Sequence, residues 1–222
     1  MSPIRWRPSV TTASVAATLV VLLLFMAPAT FAAGDASKDD SMVVMHTNLG
    51  DITIEVFEDD APKSAANFLQ YVRDGFYDGT IFHRVIPNFM IQGGGFELVD
   101  GMGTQKKTKA PIKNEGKNGL KNLRGAISMA RTKDADTATT QFFINVVDNP
   151  SLDPKDPVTN PRGFTPDGYA VFGKVVEGMD VIDKIKAAET GVKKLKARHP
   201  GGQLIEQPMQ NVPLEAVVIK KA

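Results

Sequence analysis

From Met42 onward apolar and polar residues alternate through Val43 and Met45, pause at Asn48-Leu49-Gly50, and resume in Asp51-Ile52-Thr53-Ile54-Glu55-Val56-Phe57. A period of two puts Ile52, Ile54 and Val56 on one face, so the pattern predicts two strands joined by a tight turn. Asp59-Asp60 followed by Pro62 marks a helix start, and Ala65, Phe68, Leu69 and Val72 recur at helical spacing until Gly75 closes the element. One apolar stripe suits a helix that caps a sheet or a barrel mouth. Further strands are predicted at 81–86, 89–92, 126–130, 141–146, 170–176 and 214–220, and a second helix at 178–188 with Val181, Ile182 and Ile185 on one face. The stretches 93–122 and 148–168 are rich in Gly, Pro, Asn and Lys, and loops of that length in a compact domain usually form functional rims or lids. Many short strands with two helices imply a mainly β fold, a closed eight-stranded antiparallel β-barrel capped by two α-helices, in which no strand edge is left unpaired.

Composition sets the boundaries of this domain. The chain has 222 residues, 42% hydrophobic and 23% charged, enough for one globular domain with its own core plus an appendage. Residues 1–33 hold no acidic residue and only Arg5 and Arg7 as basic ones, ahead of an uncharged run centred on Leu19-Val20-Val21-Leu22-Leu23-Leu24-Phe25. Pro28 and the small residues Ala27, Ala29, Thr30, Ala32 and Ala33 follow, as in a secretory signal peptide cleaved near Ala32 or Ala33. The alternative is an uncleaved segment that anchors the protein to the inner membrane, since the run approaches spanning length. Residues 34–41 read as a polar linker, and 42–222 as the folded domain.

With 26 Lys and Arg against 25 Asp and Glu, no overall field points to nucleic acid or to an anionic membrane. The absence of cysteine excludes disulfides, a thiol nucleophile and thiolate metal sites, and His46, His83 and His199 are too scattered for a histidine metal centre. No metal and no cofactor is expected.

The run Phe82-His83-Arg84-Val85-Ile86-Pro87-Asn88-Phe89-Met90-Ile91-Gln92-Gly93-Gly94 threads one fixed cation and one amide through large apolar residues. Arg84 and Gln92 stand eight residues apart, so an extended segment bent near Pro87-Asn88 turns both toward one groove, beside Phe89 or Met90. That is chemistry for a ligand half apolar and half polar. Taken alone, Arg84 reads more simply as a surface charge on an amphipathic strand.

Joined to Ser128-Met129-Ala130-Arg131-Thr132, Gln141-Phe142-Phe143-Ile144-Asn145 and Tyr169-Ala170-Val171-Phe172-Gly173-Lys174-Val175, the run gives a pattern that resembles the cyclophilin-type peptidyl-prolyl cis-trans isomerases, above all their exported bacterial form. The resemblance covers about residues 42–220. It implies rotation about Xaa-Pro amide bonds in unfolded or flexible segments of client proteins in the periplasm, by a monomer. In that scheme Arg84 donates to the prolyl nitrogen. Gln92 donates to the substrate carbonyl and orients Arg84, and Gln141 extends the polar side. Phe89, Met90, Phe143 and Leu152 form the proline socket, Ala130 and Arg131 offer backbone groups to the preceding residue, and Tyr169 packs on the substrate from the rim. Because Phe142 and Phe143 are consecutive on a strand, only one of them can face the groove; Phe142, Phe82 and Phe172 are assigned to the core. Amide rotation needs no net proton transfer, so His83 is read as structural or groove-lining.

Two departures from the family pattern stand out. Ser151 occupies the rim position where many members carry Trp or Phe, so cyclosporin-type ligands are expected to bind weakly. The segment 154–167 is longer and richer in proline than usual. Lys106, Lys107 and Lys109 are read as a solvated face. A proline-peptide binding module, or a holdase-like chaperone using the same groove without turnover, is the competing reading. A hydrolase is more distant, since Ser64, Ser128 and Ser151 lie in no nucleophile elbow and Gly93-Gly94-Gly95 is not a phosphate loop.

Overall fold

The computed structural model describes residues 41–199 and 201–222; the signal reading of residues 1–33 and the linker reading of 34–40 lie outside them. β1 (Met42–Thr47) and β2 (Gly50–Val56) pair antiparallel, with Met45 opposite Ile52. Burial follows the predicted period, with Val43, Met45, Ile52, Ile54 and Val56 inside. Ser41 already belongs to this pairing, because the Val56 N–H donates to its carbonyl at 2.7 Å.

α1 (Pro62–Arg73) presses Ala65, Phe68 and Leu69 into the interior. Neither Asp59 nor Asp60 caps it through a side chain. The Glu115 carboxylate, far away in sequence, does so instead, accepting from Lys63 N at 3.1 Å, Ser64 N at 2.8 Å and Ser64 Oγ at 2.7 Å. An anion there satisfies free amides and complements the helix dipole.

The remaining elements are β3 (Thr80–Ile81), β4 (Arg84–Ile86), β5 (Met90–Gly93), β6 (Phe96–Val99), β7 (Met102–Gln105), β8 (Ala126–Met129), β9 (Phe142–Asn145), β10 (Val171–Glu177), α2 (Met179–Lys186), β11 (Thr190–Arg198), β12 (Leu204–Pro213) and β13 (Ile219–Lys221). Eight strands form one sheet in the order β13-β1-β2-β10-β8-β9-β5-β4. The expected closed barrel is therefore corrected to an open half-barrel, because the ladder stops at β4 and β13. The predicted strand 81–86 divides at Phe82-His83, and β3 leaves to pair with β6 in a second sheet, ordered β12-β11-β7-β6-β3. Single contacts span the opening: Gly79 N to Ile219 O at 2.8 Å, Phe82 N to Val217 O at 2.9 Å, and a lone bridge between Ile81 and Val218.

That second sheet went unforeseen. The β6–β7 hairpin lies inside the stretch read as loop, and β11–β12 form a long hairpin whose outer strand is mostly exposed. Both follow the same rule, that a strand with little apolar surface to bury leaves a weak periodic signal. Inside the half-barrel, Phe68 is 5.8 Å from Phe142 and 5.1 Å from Phe172, and Tyr77 is 5.6 Å from Phe142, measured between ring centroids. The buried Tyr77 hydroxyl donates to Thr140 O at 2.9 Å, so this aromatic core leaves that polar group satisfied. Phe82, Phe142 and Phe172 are core, as expected.

Candidate active site

The eight-residue spacing does what it predicts: in the β4–β5 ladder Arg84 stands directly opposite Gln92. β9 follows β5 with Phe143 opposite Gln92, and β8 follows β9 with Ser128 opposite Phe143. One row across adjacent strands thus carries a cation, an amide and a ring on the same face. Arg84, Gln92, Phe89, Met90, Ala130, Arg131, Phe143, Leu152 and Tyr169 line one groove of about 250 Å³. Phe164 lines it too and was not expected. Gln141 stands one bond behind the wall.

The floor is apolar. Met90, Phe143 and Leu152 are buried against one another, with Phe89, Ala130 and Tyr169 half-buried around them. Tyr169 meets Phe143 edge-on at 5.7 Å, and its N–H donates to Leu152 O at 2.9 Å.

The polar wall is a relay. Gln92 Nε2 donates to Gln141 Oε1 at 2.8 Å, which turns Gln92 Oε1 toward Arg84 Nη1 at a loose 3.5 Å. None of the ion pairs among the described residues includes Arg84. Partial burial lowers its pKa from the usual arginine value, while Tyr169 acts the other way. The guanidinium stays charged, with most of its five donors uncommitted. Gly95 makes room for the relay, since a Cβ there would lie 2.5 Å from Gln141 Cγ. Gly94, at φ +78°, turns the backbone beside it into the left-handed region.

One expected backbone donor is engaged within the domain, and one side chain is committed to the rim. The Ala130 N–H is taken by Gln141 O at 2.9 Å, so that donor does not face a ligand. The Arg131 side chain is spent on the rim: Nη2 donates to Gly168 O at 2.9 Å and to Thr165 Oγ1 at 2.7 Å, and the guanidinium lies 4.6 Å from the Tyr169 ring centre. In the lysine loop two side chains have partners within the domain. Lys106 Nζ donates to Phe76 O at 2.6 Å, and Lys109 pairs with Asp74 and lies over the Tyr71 ring. Lys107 and Lys109 are exposed, as expected of a solvated face, and Lys106 is half-buried.

Beneath the floor lies a polar network that the sequence did not announce. Asp153 Oδ1 accepts from the Asn122 N–H and from Asn122 Nδ2, both at 2.9 Å. Asn122 Oδ1 accepts from Ser128 Oγ at 2.8 Å, and Asn149 Nδ2 donates to Asn145 Oδ1 at 2.8 Å and to Phe89 O at 2.7 Å. These bonds tie β8, β9 and the Phe89 and Leu152 segments together, fixing the socket from below. The available signal was the clustering of Asn and Asp near the groove motifs, but their contacts are long-range.

A wider cleft of about 360 Å³ is bordered by Asp60, Asn114, Glu115, Asp136 and Asp167. Most of these groups are engaged in structure: Glu115 caps α1, Asp136 Oδ1 accepts from Asn114 N at 2.9 Å, and Asn114 Nδ2 donates to Asp167 O at 3.1 Å.

The site geometry agrees with similarity across the whole domain. Residues 42–220 match the family of cyclophilin type peptidyl-prolyl cis-trans isomerase/CLD. Peptidyl-prolyl cis-trans isomerase B of Escherichia coli (strain K12) is 52% identical over 180 residues, covering 81% of this chain and 100% of the relative. The chain belongs to the cyclophilin-type peptidyl-prolyl cis-trans isomerases. Peptidyl-prolyl cis-trans isomerase A of Dickeya dadantii (strain 3937) is 47% identical over 204 residues, covering 92% of this cyclophilin and 95% of the relative. A crystal structure of a Cryptosporidium parvum cyclophilin type peptidyl-prolyl cis-trans isomerase, in the presence of the dipeptide Ala-Pro, superimposes with a TM-score of 0.59 at 26% identity, covering 81% of this chain and 96% of that one.

His83 lies behind this cyclophilin's groove. It is buried, its ring centre is 4.6 Å from that of Phe96, and Nδ1 has no hydrogen-bond partner. Burial pushes its pKa down to about 4, opposed by contacts to Ile81 and Gln141 and aided by Arg84. A neutral, enclosed imidazole is a structural group, in keeping with a reaction that moves no net proton.

Proposed function

We propose that this cyclophilin binds Xaa-Pro segments of unfolded or flexible client proteins in the groove, with the proline ring on Phe89, Met90, Phe143 and Leu152 and with Arg84 as the donor that lowers the rotation barrier. The observation that supports this most is the placement of an unpaired arginine, opposite Gln92 on the neighbouring strand, at the edge of a buried apolar floor. Resonance makes the amide C–N bond partly double, with a barrier of roughly 18–20 kcal/mol. At the top of the barrier conjugation is lost and the prolyl nitrogen gains a lone pair.

A guanidinium beside that nitrogen stabilises the twisted amide more than the planar one, which is what lowers a barrier. Uncatalysed exchange takes tens of seconds, so turnover of the order of 10³ per second requires about 10⁵-fold acceleration, near 7 kcal/mol. A charge-assisted bond supplies roughly 1.5–3 kcal/mol and a preorganised donor in a water-poor site a few more. The relay through Gln92 and Gln141 supplies that preorganisation, and the second Gln92 amide hydrogen is left to meet the substrate carbonyl. Burial of the proline ring selects the substrate and excludes water.

The proposed place of work is the periplasm, supported by the basic start, apolar run and small-residue cluster of residues 1–33. Mass spectrometry of the exported protein tests this: a first residue near 33 or 34 is expected, and an intact Arg5 segment contradicts cleavage. For the site, exchange of an Xaa-Pro peptide followed with purified protein is expected to be fast, and about 10²–10³-fold slower with Arg84→Ala. An Arg84→Ala variant as active as the parent contradicts the assignment.

A further inference from the structure

We propose that Phe164 is a specificity-determining residue of this groove, one that packs on an apolar or aromatic side chain flanking the substrate proline. The inference rests on the groove being the substrate site, as proposed above. Phe164 stands at the wall of the groove with 62% of its surface exposed, where Leu152 and Tyr169 form the adjoining apolar surface. A large ring held in water at the mouth of an apolar socket gains most from a ligand that covers it.

The ring's backbone is fixed. Its N–H donates to Ser151 O at 2.8 Å, next to the socket residue Leu152. Thr165 follows and is held from two sides, its carbonyl accepting from Lys155 N at 2.8 Å and its hydroxyl from Arg131 Nη2 at 2.7 Å. The turn before it is closed as well: Asp156 and Asn160 exchange backbone hydrogen bonds at 3.1 and 3.0 Å, and Asn160 Nδ2 donates to Pro150 O at 2.8 Å. Asp156 Oδ1 accepts from the N–H groups of Val158 and Thr159, at 2.9 and 2.7 Å. The long 154–167 segment is thus a built loop that delivers one aromatic ring to the rim beside Ser151, a position that itself presents only a hydroxymethyl group. Tyr169, stacked on Arg131, gives that rim a second ring. A flanking residue with a ring or branched chain gains apolar contact there, and glycine gains none.

The test measures kcat/KM by exchange spectroscopy on four Ala-Xaa-Pro-Yaa-Ala peptides, with Phe or Gly before the proline and Phe or Gly after it. The full chain is compared with Phe164→Ala and Phe164→Trp. At one of the two positions the parent prefers Phe over Gly. Phe164→Ala lowers that preference about fivefold to tenfold, as expected when part of an aromatic face loses its contact, and Phe164→Trp keeps it. An unchanged preference in Phe164→Ala, or a parent with no preference at either position, overturns the proposal. An equal loss on all four peptides assigns Phe164 to holding the rim and overturns it too. A parent that isomerises none of the peptides overturns the groove reading itself, and this inference with it.

Discussion

Phe142 and Phe143 are neighbours on β9, are almost equally buried at 0% and 4%, and belong to two different apolar clusters. Phe142 is wrapped on every side by Phe68, Tyr77 and Phe82 inside the half-barrel. Phe143 points the other way, into a wall completed by Met90, Leu152 and Tyr169 and open to a ligand. Burial alone does not separate a core ring from a site ring. The two differ in what stands opposite: for Phe142 more protein, for Phe143 a space edged by Arg84.

Substitution should pull the two apart. Phe142→Ala is expected to cost about 3–5 kcal/mol of stability, seen as a lower denaturant midpoint, because the aromatic core cannot collapse into the hole. Phe143→Ala should lower kcat/KM on an Xaa-Pro peptide about tenfold or more while shifting the midpoint less than Phe142→Ala does. Equal midpoint shifts with equal loss of activity would merge the two clusters into one core. A smaller effect comes from His83, which is buried against Phe96. Its folded pKa, about 4, is below the ordinary value of 6.5, so the unfolded chain takes the proton first as pH falls. Stability is therefore complete above about pH 6.5 and is lost toward pH 4, by about 3 kcal/mol at the bottom of that window. Midpoints measured at pH 7 and pH 4.5 should fall less in His83→Gln than in the parent, and parallel falls would remove His83 from that role. The smallest effect belongs to Gly95→Ala. A Cβ there displaces Gln141 and loosens the Gln92 relay, so activity should drop severalfold with little change in midpoint.

Local periodicity made the first hairpin, both helices and the opposite facing of Phe142 and Phe143 legible, because each depends on neighbours in sequence. The groove was legible for a different reason: Arg84, Phe89, Met90 and Gln92 sit on one hairpin, and the resemblance supplied the distant residues Phe143, Leu152 and Tyr169. What stayed hidden depends on contacts between distant segments. Glu115 caps a helix that begins 53 residues earlier, β3 abandons its own strand to pair with β6, and Phe164 reaches the rim only because a polar loop folds back onto Ser151 and Arg131. Alternation of apolar and polar residues records burial within one element, and each of these contacts is set by a partner distant in sequence.

In the proposed mechanism Arg84 separates a groove that merely binds proline from one that turns it over. Catalysis by Arg84→Lys, set beside parent and Arg84→Ala on one Xaa-Pro peptide, asks whether a charge suffices or a directed planar donor is required. The expected result is a loss of about 10²–10³-fold in kcat/KM for Arg84→Ala, recovered by no more than about tenfold in Arg84→Lys, with denaturant midpoints close to the parent's. Arg84→Ala turning over at the parent rate would contradict it.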